Sequence, residues 1–240
     1  MSRVPPVVCP PISSPPTTAH RYAVCFAPNP GSLGWLAGSH WLGRCAALLQ
    51  PLPQLDIHGV AAEDLVRLTA APRRQGWRAA LMAPFALAPG ADWITLHQTV
   101  QALAHSLKPC ALPPLQVERI GDMLALVPPA SHATNGLIHQ AAAACEAQLQ
   151  PLVEAPRGDT EDLADLRAAG PTPQPSGFRF HLPITGSLDL VDVPTQALVL
   201  DAAQEFFSDL PILQFNSLAL FAEPTPGADF VLLDHLEMAP

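Results

Sequence analysis

Phe178-Arg179-Phe180-His181-Leu182-Pro183-Ile184-Thr185 decides how the chain is read, because it alternates without a break. Phe178, Phe180, Leu182 and Ile184 fall on one face of an extended chain, and Arg179, His181, Pro183 and Thr185 on the other. The pattern predicts a strand with a buried apolar face and a polar face carrying a guanidinium, an imidazole and a hydroxyl. Arginine and histidine side by side suit an anion such as phosphate, since guanidinium offers paired N–H donors and imidazole titrates near neutrality. An ordinary half-buried strand with its polar side to water shows the same alternation, so the neighbouring segments have to decide between the two.

After this stretch the sequence predicts a helix over 195–207 and strands over 212–221 and 230–236, with Pro224-Thr225-Pro226-Gly227 as the turn. Before it, 151–176 is acidic (Glu154, Asp159, Glu161, Asp162, Asp165) and then proline-marked (Pro171, Pro173, Pro175), which predicts a mobile loop. An amphipathic helix is expected over 135–149, burying Leu137, Ile138, Ala141, Ala144, Cys145 and Leu149. Strands over 115–120 and 123–127 meet at Gly121-Asp122, a tight hairpin turn. A helix over 92–107 carries Ile94, Leu96, Val100 and Leu103 at helical spacing and follows an extended segment over 76–87. Nearer the start come a helix over 61–70 with Leu65, Val66 and Leu68 turned inward, and a short helix carrying Leu33, Leu36, Trp41 and Leu42. The first strand spans 21–27, and residues 1–20, with three Pro-Pro pairs, read as a disordered tail.

Runs of neighbouring strands between helices favour a mostly antiparallel α+β fold over a doubly wound parallel sheet. The order also repeats. A strand at Arg78, a helix and a hairpin recur as a strand at His181, a helix and a hairpin, offset by 181 minus 78, or 103 residues. The repeat predicts one bilobal domain over 21–236: two pseudo-symmetric lobes with helices outside and a central cleft between them.

The formal net charge of -9 removes a nucleic-acid backbone from the expected partners, because no basic stripe exists to displace counterions. A small phosphorylated ligand needs only one or two local cations and stays possible. The five cysteines are scattered and form no Cys-x-x-Cys pair, so neither a disulfide framework nor a zinc site is expected; buried thiols of a reducing cytoplasm are. No apolar run reaches the roughly 18 residues of a membrane span, and no secretory leader is apparent. Gly31, Gly34 and Gly38 lack phosphate-loop spacing and no Gly-Lys-Ser/Thr follows them. His97 and His105, eight apart, and His132 and His139, seven apart, do not have the spacing of paired metal ligands on a helix. No metal and no cofactor is expected.

Five groups of residues together carry a resemblance. They are Arg21-Tyr22-Ala23-Val24 with Phe26-Ala27-Pro28; Trp41-Leu42-Gly43-Arg44; Pro72-Arg73-Arg74-Gln75-Gly76; Lys108-Pro109 with Leu112-Pro113-Pro114-Leu115; and Phe178-Arg179-Phe180-His181. In these the chain resembles the two-histidine phosphoesterase superfamily, and more narrowly a family of unknown function associated with phosphonate-metabolism genes. The resemblance implies two His-x-Thr/Ser motifs, one per lobe, meeting in the cleft. One imidazole would take a proton from the nucleophile and the other give one to the leaving oxygen, while the hydroxyls hold phosphate oxygens. This chain departs from that pattern at three of the four positions: Arg78-Ala79-Ala80 stands for the first motif and His181-Leu182-Pro183 for the second. Arginine stays protonated, so Arg78 cannot act as a base. Ala80 has no hydroxyl, and Pro183 has neither a hydroxyl nor an N–H. General acid–base catalysis supplies about 10² to 10⁴ in rate and each oxyanion donor about 10² to 10³, so little turnover by the family mechanism is expected. His181 is the one expected catalytic residue; Arg78, Arg179 and Thr185 are expected to clamp the anion. An active phosphodiesterase working on a cyclic or linear ribosyl phosphate is the alternative, and a protein partner, which the residues do not name, is a further expectation.

Overall fold

A computed structural model describes residues 19–154 and 178–239. The expected tail (all but Ala19 and His20) and the expected loop from residue 155 on lie outside them. The described chain runs β1 (Arg21–Phe26), α1 (Leu33–Leu42), β2 (Arg44–Cys45), β3 (Gln50–Pro51), α2 (Ala62–Gln75), β4 (Ala79–Ala80), α3 (Trp93–Ser106), β5 (Cys110–Ala111), β6 (Gln116–Ile120), β7 (Met123–Val127) and α4 (Thr134–Leu149). It resumes with β8 (Leu182–Pro183), α5 (Val193–Ser208), β9 (Gln214–Phe215), β10 (Ser217–Glu223) and β11 (Val231–Glu237). Among the described residues no helix is long and apolar enough to cross a membrane.

The helix starts follow from their caps. Ser32 accepts from the Trp35 N–H, Asp92 from Thr95 and Asp192 from Thr195, each satisfying an N–H the first turn leaves open. The left-handed Gly43 (φ 73°) ends α1. Helix α2 runs past residue 70 to Gln75 despite Pro72 in its interior. Proline has no N–H to give to the carbonyl four residues back. That carbonyl, on Leu68, accepts instead from Gly186 N at 2.6 Å. A helical irregularity thus ties down the segment just beyond β8.

The fold is α+β, and every strand pair is antiparallel. One sheet has the order β11-β10-β1-β4 and another β6-β7-β8, with β5 paired to β9. The expected repeat is visible in the element order: β4-α3-β5-β6-β7 recurs as β8-α5-β9-β10-β11, and β8 begins 182 minus 79, or 103 residues, after β4. The hairpins are exchanged. The β6–β7 hairpin of the first half pairs with β8 of the second, while β10–β11 joins β1 and β4.

Two apolar clusters lie on opposite faces of β1. Tyr22, Val24 and Phe26 face the larger one, shared with α3, α4, Leu182 and Ile184; Ala23 and Cys25 face a smaller one with Trp35, Phe221 and Phe230. Phe26 packs on Phe180 (ring centroids 5.5 Å) and on Phe215 (5.6 Å), joining the two halves.

Several expected elements are corrected. Only Leu182–Pro183 of the 178–185 stretch joins a ladder, and β8 is an edge strand. An edge position accommodates Pro183, whose missing N–H would break a central ladder. The apolar half of the alternation holds: Phe180, Leu182 and Ile184 are buried. Over 76–87 the ladder is likewise short, Ala79–Ala80, followed by a bridge between Tyr22 and Phe85 beyond Pro84. In α2 it is Thr69 that turns inward with Leu65 and Leu68, while Val66 is 45% exposed. In α1 Trp35 is buried and Leu33 faces out.

Candidate functional site

His181 immediately precedes β8, and two tethers fix the strand that carries it: Trp41 Nε1 donates to Ile184 O at 2.8 Å, and Gly186 N bonds Leu68 O. The ring is buried, with Nδ1 2.8 Å from the Arg179 carbonyl. A carbonyl only accepts, so Nδ1 carries the hydrogen and Nε2 of the neutral ring keeps its lone pair. That Nε2 is buried and meets no hydrogen-bond partner among the described residues. Burial pushes the imidazole below its ordinary pKa; the Arg179 carbonyl opposes this and the Arg179 charge adds to it. At neutral pH the ring is therefore uncharged, a base with one open nitrogen.

Thr185 is buried two residues beyond Pro183, and its Oγ1 accepts from Leu124 N at 2.9 Å. Arg179 turns to the surface, where its guanidinium pairs with Glu118 of β6 at 2.5 Å. Arg78, just ahead of β4, is 4% exposed. Its guanidinium lies 4.8 Å from the centre of the Phe221 ring and 4.3 Å from that of Phe230, with Nη2 donating to Gln75 Oε1. The Cys25 thiol is a further hydrogen-bond neighbour, and Nη1 has no hydrogen-bond partner among the described residues. Burial lowers the Arg78 pKa from its very high ordinary value, which still leaves a cation at neutral pH.

Arg179 and His181 are joined through the Arg179 backbone. No hydrogen bond or ion pair among the described residues links Arg78 to Arg179, His181 or Thr185. Arg78 shares the Cys25 face of β1, whereas Phe26, which meets Phe180, belongs to the other face. Ala80 lies opposite Cys25 and Pro183 opposite Ala125, so both positions where the resemblance implies a hydroxyl pair with apolar or thiol neighbours. Among the described residues no three of His, Cys, Asp and Glu gather closely enough to hold a metal ion.

The sequence reading missed the charge group around Arg78. Glu223, at the end of β10, is fully buried; Arg21 reaches it at 2.5 Å, Arg74 at 2.5 Å, and Gly227 N donates to it at 2.8 Å. Arg44 donates to Phe230 O (2.8 Å) and Arg73 O (3.3 Å) and pairs with Asp229 (3.2 Å). The available signal was opposite charges closing two apolar strands, Arg21 and Glu223, which prove to be direct partners in the ladder.

Two curated relatives align with 88% of the chain. Both carry the name ribose 1,5-bisphosphate phosphokinase PhnN: one from Laribacter hongkongensis (strain HLHK9), 36% identical, and one from Janthinobacterium sp. (strain Marseille), 32% identical. The chain spans about half the length of each, 50% and 49%. A family model described as "Protein of unknown function (DUF1045)" matches residues 80–177 and 174–231, so it takes in Ala80, His181, Thr185 and the second half-repeat as far as the start of β11. On that match the chain belongs to the DUF1045 family of proteins of unknown function.

Proposed function

We propose that this protein is a phosphoesterase-like member of the two-histidine superfamily that has lost efficient catalysis and binds a phosphorylated metabolite. The observation that carries this is the contrast between the two equivalent positions of the repeat. His181 is a neutral imidazole with its tautomer set and Nε2 open, while Arg78 is a permanent cation sealed between two aromatic rings. A lone base can take a proton from water, yet the leaving oxygen also needs one, and a guanidinium does not give it at neutral pH. Without hydroxyls at 80 and 183, the non-bridging oxygens also lose their donors. The 103-residue repeat and the bilobal domain read over 21–236 fit the same ancestry.

The relatives' name points to a phosphorylated ribose as the ligand class and to phosphonate metabolism as the setting. Kinase chemistry belongs, in this reading, to the half of those relatives that the chain does not span, since no Gly-Lys-Ser/Thr loop is present here. The unpaired thiols of Cys25, Cys45 and Cys145 suit a reducing cytoplasm.

Calorimetric titration with ribose phosphates tests the binding half: heat and a thermal upshift are expected, and silence in both would leave only a scaffold. Turnover of cyclic phosphodiesters tests the other half, with no His181-dependent rate expected. A second reading, an active phosphodiesterase on a cyclic or linear ribosyl phosphate, draws on the open Nε2 alone; hydrolysis abolished by His181→Ala would establish it. Arg78→His, Ala80→Thr and Pro183→Thr together should raise activity if the motif positions still face one another.

A further inference from the structure

Five buried polar side-chain atoms among the described residues have no hydrogen-bond partner: Trp77 Nε1, Arg78 Nη1, Asn135 Oδ1, His181 Nε2 and His235 Nε2. Four of them say little about a ligand. The Trp77 ring is stacked on Phe207 in the core, and the Arg78 guanidinium is already held by Gln75, Phe221 and Phe230. Asn135 gives its amide hydrogens to the Pro129 and Ala130 carbonyls at the surface. His235 Nδ1 lies 3.0 Å from the Ser217 hydroxyl, which either gives or takes a hydrogen, so its tautomer is not fixed.

His181 differs. Its Nδ1 faces a carbonyl, which only accepts, so the hydrogen sits on Nδ1 and Nε2 of the neutral ring is a lone pair that only a donor can satisfy. The polar groups nearest along the chain are engaged elsewhere. Trp41 Nε1 gives its hydrogen to Ile184 O, Thr185 Oγ1 is bonded to Leu124 N, and the Arg179 guanidinium turns to Glu118. The residue is 9% exposed, beside exposed Arg179 and half-buried Pro183, which places the ring at the edge of the core and within reach of a ligand from solvent. A phosphate monoester, with a second pKa of about 6, is mostly dianionic at neutral pH and has only acceptors to offer. Set against this nitrogen it would bring two lone pairs together, whereas a sugar hydroxyl brings a donor.

We propose that His181 Nε2 seats a hydroxyl of the ligand's sugar and not an oxygen of its phosphate, which makes a hydroxylated sugar phosphate the ligand class. This rests on the phosphate-binding reading above and assigns the contact at His181 within it. The phosphate then falls to a cation, and Arg179, two residues earlier, has its guanidinium in a half-exposed pair with Glu118, of the kind that contributes little and exchanges readily.

Calorimetry on the full chain with two probes, ribose 5-phosphate and tetrahydrofurfuryl phosphate, tests this, because the second keeps the ring and the phosphate and lacks every sugar hydroxyl. Ribose 5-phosphate should bind at least about tenfold more tightly, since the second probe leaves a buried acceptor unmet. In His181→Phe most of that preference should disappear. Equal binding of the two probes by the native protein, or a preference that survives intact in His181→Phe, overturns the contact and leaves the phosphate-binding reading standing. Nitrogen-15 NMR of the native imidazole reads the same contact without relying on the variant: Nε2 should stay unprotonated throughout and shift with ribose 5-phosphate alone. An Nε2 that gains a proton when either probe binds has the phosphate as its partner, which also overturns the contact. Should the native protein bind neither probe, the contact and that reading fall together.

Discussion

Replacing Glu223 by glutamine keeps the shape of a fully buried side chain and removes only its charge. In the native protein one oxygen takes Arg21 Nε at 2.6 Å and Nη2 at 2.5 Å, and the other takes Arg74 Nη2 at 2.5 Å and Gly227 N at 2.8 Å. A glutamine amide turns one of those acceptors into a donor facing donors, and it removes the negative charge that Glu223 sets against two guanidiniums. Breaking a buried ion pair from one side costs about 3 to 5 kcal/mol. The lower end applies here, because the Arg74 side chain is 27% exposed and that of Arg21 10%, so both can recruit some water. A loss of about 3 kcal/mol lowers the melting temperature of a chain this size by roughly 6 to 12 °C. Urea unfolding followed by tryptophan fluorescence reads it as a shifted midpoint with unchanged slope. Arg67→Gln, which breaks the exposed pair with Asp64, is the control and should cost no more than about 0.5 kcal/mol. If Glu223→Gln lost less than about 1 kcal/mol, the reasoning that a buried, shared carboxylate holds β1, α2 and the β10–β11 turn together would be refuted.

Gly38→Ala should fail to fold or lose several kcal/mol, since its Cβ would lie 1.7 Å from Trp77 Cδ2, inside a ring stacked on Phe207; recovery of soluble protein and its melting temperature decide this. Trp41→Phe should cost about 1 to 3 kcal/mol by leaving the Ile184 carbonyl unpaired, and faster amide exchange in β8 would locate the damage. Acid should destabilise the fold through His235, whose pKa burial lowers to about 4. Its depressed folded pKa means the unfolded chain binds the proton first, so stability is intact above the unfolded value near 6.5 and drains as pH falls toward about 4. The full drop is about 3 kcal/mol, and His235→Gln should flatten that part of the stability curve; an equally steep variant would contradict the assignment.

The local elements were legible because their signals are local. Asp92 three residues ahead of Thr95 marks the start of α3, and Gly121 at φ 61° makes the β6–β7 turn. The repeat was legible too, since a 103-residue offset survives in the order of elements. What could not be read was the partner choice of each strand. Nothing in 178–185 says that only Leu182 and Pro183 find a ladder, on an edge, because that depends on β7 being offered by the other half. Burial phase slipped in α2 for a related reason. Val66 is as apolar as its neighbours, but Thr69 goes inward because its hydroxyl bonds back to Leu65 O at 2.8 Å and accepts from Gln54, so its polar group is satisfied in the core. In the candidate site His181 stands out in the sequence by its alternation, whereas the surroundings of Arg78 depend on Glu223 and Phe230, which lie some 150 positions away in sequence.

The central claim is that one half of an acid–base pair survives while the other has become a buried cation. Its most direct test is the hydrolysis rate of a cyclic ribose phosphodiester, measured side by side for the native protein and His181→Ala at about pH 7. The account predicts no rate above the uncatalysed background in either. A native rate that disappears with His181 would contradict it.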